Sequence, residues 1–175
     1  MGFDFASLIR DVADFPEAGI VFKDITPLLA DPEGLEAALD ELTGPFHDTG
    51  VTKVVGIEAR GFIFGAPAAD RLGAGFVPVR KPGKLPWIVE TQTYSLEYGS
   101  GTLEVHRDSV QAGDSVLIVD DVLATGGTAR ATVDLVRKLG AGVAGVAVLI
   151  ELGFLNGRSR LDGVEVHTVV HYGGD

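Results

Sequence analysis

A chain of 175 residues that is 46% hydrophobic and carries 24 glycines is enough for one α/β domain with a substantial core and many tight turns. The absence of cysteine excludes disulfides and thiolate chemistry, and a net charge of −11 with a pI of about 4.7 argues against non-specific nucleic-acid binding, which relies on basic surface. No apolar run approaches the roughly 18 residues of a membrane span, and the N-terminal Met1-Gly2-Phe3-Asp4 lacks a basic segment ahead of an apolar core, so the expectation is a cytoplasmic protein with no membrane partner.

Taken in chain order, Phe5, Leu8, Ile9 and Val12 predict an amphipathic helix over 3–13. Residues 15–29, broken by Pro16, Gly19 and Pro27, read as a loop or short strand. Asp31-Pro32 has the form of an N-cap and first helical position ahead of Leu35, Ala38, Leu39 and Leu42, and Gly44-Pro45 ends or kinks that helix. A short apolar strand from Lys53 to Ile57 leads through Glu58-Ala59-Arg60-Gly61 into a helix over 62–72. That strand-to-helix turn is an anion site with a guanidinium beside it. Gly75 to Val79 is the next buried strand. It delivers Arg80, Lys81 and Lys84, three cations within five residues of an acidic protein. Residues 87–93 show no strong periodicity, as expected of a mobile lid, and Tyr94 to His106 alternates around Gly99-Ser100-Gly101 as a β-hairpin.

Residues 115–128 carry most of the chemistry. Val116 to Val119 form an aliphatic run suited to a strand buried on both faces, followed by Asp120-Asp121 and then Ala124-Thr125-Gly126-Gly127-Thr128. The glycine pair lets backbone N–H groups close around an anion, the threonines add hydroxyl donors, and the helix that follows points its N-terminus at the loop. No basic side chain lies within the loop, so backbone and hydroxyl donors are expected to do the binding; the Gly-Lys-Ser/Thr ending of a Walker loop is missing. Carboxylates beside a phosphate site make sense if they face ribose hydroxyls, with a metal ion nearby. Gly140-Ala-Gly142-Val-Ala-Gly145 matches a dinucleotide fingerprint in the wrong context, because it ends a helix and enters a strand, so NAD binding is rejected. A final strand is expected over 164–170, where the four-residue spacing of His167 and His171 is fortuitous and no metal pair is inferred.

Val116 to Thr128 resembles the phosphoribosyl pyrophosphate (PRPP) signature of type I phosphoribosyltransferases, and Leu123 to Thr128 together with Leu96-Glu97-Tyr98-Gly99 is similar to the adenine-specific branch. The resemblance implies one domain over 1–175: a doubly wound, mostly parallel β-sheet flanked by helices, a hood over about 1–34 and a β-hairpin lid over about 82–106. It implies transfer of phosphoribosyl from PRPP to adenine, giving AMP and pyrophosphate in purine salvage. By the same resemblance, Asp120, Asp121 and Ala124 to Thr128 hold the ribose and 5′-phosphate, while Glu58, Ala59, Arg60, Arg80, Lys81 and Lys84 hold the pyrophosphate, with a strained or cis peptide expected near Glu58-Ala59. Val21, Phe22 and Lys23 read the adenine, with Lys23 where many relatives carry arginine. Glu97, Arg60, Asp120 and Asp121 are the expected catalytic residues, with Glu97 the proton donor or shuttle. Mg²⁺ is the expected cofactor, held mainly by PRPP and not by a dedicated set of protein ligands, and a homodimer is the family expectation. The alternatives are a phosphoribosyltransferase for another purine and, further off, a non-catalytic PRPP-binding regulator.

Overall fold

The computed structural model describes residues 2–95 and 99–173. The chain divides into two compact units, residues 1–41 and 42–175.

In the first unit a short 3-10 turn, Phe5–Leu8, is capped by the Asp4 carboxylate, which accepts from the Ser7 amide at 3.3 Å. β1 (Arg10–Ala13) then pairs antiparallel with β2 (Val21–Asp24), in the register Arg10 to Asp24 through Ala13 to Val21. The helix expected over 3–13 is therefore a turn and a strand. The apolar spacing is present, and Phe5 and Ile9 are buried, but strand pairing with β2 takes up the backbone polar groups that a helix would have used. The connection between the strands is tight: Asp14 has φ 54°, its carboxylate accepts from the Gly19 amide at 2.7 Å, and Phe15–Pro16 is cis. α1 (Thr26–Ala30) follows, and then α2 (Pro32–Thr43) begins with Asp31 accepting from the Gly34 amide at 2.7 Å, as the Asp-Pro pair predicts.

In the second unit α2 gives way at Thr43 to a 3-10 turn, Gly44–Phe46. The main sheet comprises β3 (Lys53–Ile57), β4 (Gly75–Val79), β7 (Ser115–Leu123), β8 (Gly142–Leu152) and β9 (Val166–Tyr172), in the order β4-β3-β7-β8-β9 with every pair parallel. β5 (Val89–Ser95) and β6 (Ser100–His106) form a separate antiparallel hairpin, so the stretch over 87–93 that showed no periodicity is largely strand. Its sequence alternates weakly because polar residues occupy both faces of β5.

α3 (Gly61–Arg71) crosses from β3 outward to β4, and α4 (Gly127–Lys138) crosses from β7 to β8 in the opposite direction. Right-handed crossovers leaving in opposite directions place the two helices on opposite faces of the sheet. α4 packs with the hairpin: Val133, Val136 and Leu135 share one cluster with Leu103, Val105, Val55, Ile118 and Val148. α4 closes as its sequence predicts. The Gly140 amide donates to the Arg137 carbonyl at 2.9 Å and the Ala141 amide to Val136 at 3.2 Å, which satisfies two of the last carbonyls.

Candidate active site

The strand order reverses direction between β3 and β7. Loops leaving the carboxyl ends of these two neighbours diverge to opposite faces and leave a crevice, which is where open α/β sheets bind ligands. Residues 58–60 form one wall and residues 120–128 the other.

On the β3 side the Glu58–Ala59 peptide is cis, as the family resemblance implies, and the Glu58 amide donates to the Val79 carbonyl at 2.9 Å. The Glu58 carboxylate gathers the cations delivered by β4. It accepts from Lys84 Nζ at 2.8 Å, from Arg80 Nε at 3.2 Å and from the Lys81 amide at 3.0 Å. The Lys84 hydrogen bond, with smaller help from Lys81 and Arg80 and against the cost of burial, lowers the Glu58 pKa from 4.5 to about 2. Arg80 is also held by backbone bonds with Glu104 and by the Phe62 ring, 5.9 Å from the guanidinium carbon. The Lys81 side chain is exposed and meets no carboxylate among the described residues.

Arg60 occupies the N-cap position of α3, and its Nε donates a hydrogen bond to Oδ2 of Asp121. Asp120 and Asp121 lie inside β7, which runs to Leu123, and not in a turn after it. Strand alternation therefore sends them to opposite faces. Asp121, 5% exposed, turns to Arg60, while Asp120 lines the loop pocket. Burial first and the Asp121 carboxylate second push the Asp120 pKa well above its ordinary value. The two walls touch closely at Gly61, where an added Cβ would lie 2.9 Å from both Asp120 Oδ1 and the Val119 carbonyl.

The signature loop borders an open pocket of about 70 Å³ lined by Asp120 and by Val122 through Ala129, so Ala124, Thr125, Gly126, Gly127 and Thr128 share one pocket. The first helical bond of α4 runs from the Arg130 amide to the Gly126 carbonyl at 2.9 Å, which leaves the Gly127, Thr128 and Ala129 amides without acceptors in the helix. Gly126 has φ 80°, and an added Cβ would lie 2.3 Å from the Gly157 carbonyl. Only glycine fits there.

Gly157 is not among the site residues expected from the sequence. Arg160 also went unnoticed: it lies 33 residues beyond Gly127 in sequence, yet its Nη1 falls 3.5 Å from where a Gly127 Cβ would stand, beside Tyr94 Cδ2 at 3.2 Å. Long-range approach of this kind leaves no local signal. Glu97 lies outside the described residues. In the first unit Val21 is exposed, Phe22 packs edge-on against Phe15 at 5.2 Å, and Lys23 Nζ meets Asp11 Oδ1 at 2.6 Å.

The phosphoribosyl transferase domain model matches residues 28–169. An adenine phosphoribosyltransferase from Streptomyces coelicolor is 64% identical over 156 residues, covering 89% of this chain and 86% of its own length. The chain belongs to the adenine phosphoribosyltransferase family. A crystal structure of the family member from Rhodothermus marinus superposes with a TM-score of 0.92 at 56% identity, covering 96% of both chains. An adenine phosphoribosyltransferase from Saccharomyces cerevisiae, complexed with adenine and an imino-altritol bisphosphate, matches with a TM-score of 0.89 at 39% identity over 95% of this chain and 96% of its own. The parallel sheet flanked by helices is thus the type I phosphoribosyltransferase fold.

Proposed function

We infer that this chain transfers the 5-phosphoribosyl group from PRPP to adenine, forming AMP and releasing pyrophosphate. One observation carries the reading: a phosphate-sized pocket of free amides, with Asp120 on its wall, closes one side of the β3/β7 crevice, and Arg60 with the β4 cations closes the other. This divides the donor as its chemistry requires. The phosphate and ribose occupy the signature side, and the leaving pyrophosphate lies on the cationic side.

The bond from C1′ to the pyrophosphate oxygen breaks as a ring nitrogen of adenine bonds to C1′, with inversion, and the base loses a proton. Charge grows on the departing oxygens and on an oxocarbenium-like sugar. Arg60, Arg80, Lys81 and Lys84 stabilise the first; Asp120, with Asp121 behind it, holds the ribose hydroxyls beside the second. Glu58 keeps Arg80 and Lys84 together in the free protein and yields them to pyrophosphate oxygens. Val21 and Lys23 backbone groups and the Phe22 ring read the base, Glu97 handles its proton, and the β5–β6 hairpin closes as a lid.

Among the described residues no three His, Asp or Glu gather as a metal-binding group. Magnesium is commonly bound through one or two carboxylates plus substrate oxygens, and Asp120 on the pocket wall fits that pattern. A Mg²⁺ ion carried on PRPP would offset charge on the leaving group. A cytoplasmic homodimer completes the reading. Among the described residues no helix is long and apolar enough to cross a membrane. The test is to supply adenine, PRPP and Mg²⁺ and quantify AMP and pyrophosphate: equal amounts of both are expected, and pyrophosphate without AMP would overturn the reading.

A further inference from the structure

We propose that Arg160 is a ligand of the PRPP 5′-phosphate, held in place by an ion pair that anchors its turn. The proposal rests on the chain being an adenine phosphoribosyltransferase. The 3-10 turn Gly157–Leu161 follows β8 and backs the signature loop, because a Cβ at Gly157 would lie 2.1 Å from the Ala124 carbonyl and 2.8 Å from the Gly126 amide nitrogen. This turn is fixed to the sheet next door. Arg158 grips the buried Glu151 in a two-pronged pair, with Nε to Oε1 at 3.0 Å, and Nη1 donates to the Val166 carbonyl at 2.8 Å. Thr168 Oγ1 adds a bond to Glu151 at 2.8 Å. Glu151 pairs in register with Leu123, the last residue of β7 before the loop, so the anchor and the loop share one rigid frame.

Arg160 extends from that anchored turn to Gly127. The chain has 25 acidic residues against 14 basic ones, yet among the described residues this guanidinium has no hydrogen-bond or ion-pair partner. It sits beside the N-terminus of α4, whose first turn carries no acidic residue. A cation next to the positive end of a helix is electrostatically unfavourable in the free protein. An anion shared between the free amides and the guanidinium reverses the sign of that interaction, and charge-assisted bonds from arginine to phosphate are among the strong ones. Tyr94 and the Ser95 carbonyl, at the end of β5, close over the same point.

The experiment is steady-state kinetics of Arg160→Ala and Arg160→Lys with PRPP and adenine each varied, plus competition by ribose 5-phosphate and, separately, by pyrophosphate. Arg160 is exposed and has no bonded partner among the described residues, so both variants fold, and thermal melting checks this. For Arg160→Ala, the KM for PRPP and the inhibition constant for ribose 5-phosphate rise about tenfold or more. Lysine restores part of that loss. The KM for adenine, the inhibition constant for pyrophosphate and kcat at saturating PRPP stay within about twofold. An unchanged KM for PRPP, or an equal weakening of pyrophosphate, overturns the proposal. Wild-type protein that makes no AMP in the same assay would overturn the underlying reading instead.

Discussion

Arg60 and Asp121 stand 61 residues apart in sequence and meet as a hydrogen-bonded ion pair across the β3/β7 seam, with Asp121 buried behind the guanidinium. This contact joins the 58–60 wall of the crevice to the 120–128 wall. Asp121 therefore acts first on Arg60, while Asp120 faces the pocket.

Asp121→Asn keeps the shape and removes the charge that orients Arg60. Turnover is expected to fall about 10²-fold while the KM for adenine changes by less than about threefold. Initial-rate kinetics with each substrate varied will show it, and equal losses in both would contradict the assignment.

Arg60→Ala is expected to lower turnover by about 10²–10³-fold, the usual cost of losing a donor to a developing anion. It also leaves the Asp121 carboxylate without its guanidinium partner. A stability loss of about 1–2 kcal/mol follows, at the low end because Arg60 is half exposed. Denaturant melts separate the two effects, and Arg60→Lys should recover more of the stability than of the rate.

Glu58 makes stability pH-dependent in a defined direction. Its folded pKa of about 2 lies below the ordinary 4.5, so its contribution is complete above about 4.5 and is lost as pH falls toward 2. Glu58→Gln should melt below wild type at pH 7, with a gap that narrows steadily between pH 4.5 and 2. A constant gap across that window would show that Lys84 and Arg80 do not hold Glu58 ionised.

Gly61→Ala pushes a methyl against Asp120 Oδ1 and the Val119 carbonyl, both at 2.9 Å. The start of α3 must then shift from β7, at a cost of about 1–3 kcal/mol. Since Arg60 precedes Gly61, activity should drop further than Tm alone explains. Thermal melts and specific activity on the same preparation will test this.

The signals that rest on local pattern were legible in the sequence. The apolar runs of β3, β4 and β7 mark buried parallel strands, the Asp31-Pro32 cap starts α2, and the small residues at 124–128 form a pocket as expected. What misled was local periodicity overruled by pairing: residues 10–13 carry helical spacing but bond to β2. β5 hid because both of its faces are polar. Contacts that depend on distant chain closing up were not legible at all. Glu58 gathering Lys84, Arg60 reaching Asp121 and Gly157 seated on Gly126 each need the sheet to form before the partners meet.

The measurement that bears most directly on the account is a competition among bases. Adenine, hypoxanthine, guanine and xanthine are supplied together with PRPP and Mg²⁺, and the nucleotides are separated and quantified. AMP as the dominant product, made with one pyrophosphate each, is the predicted result. IMP, GMP or XMP formed at a rate comparable to AMP would contradict it.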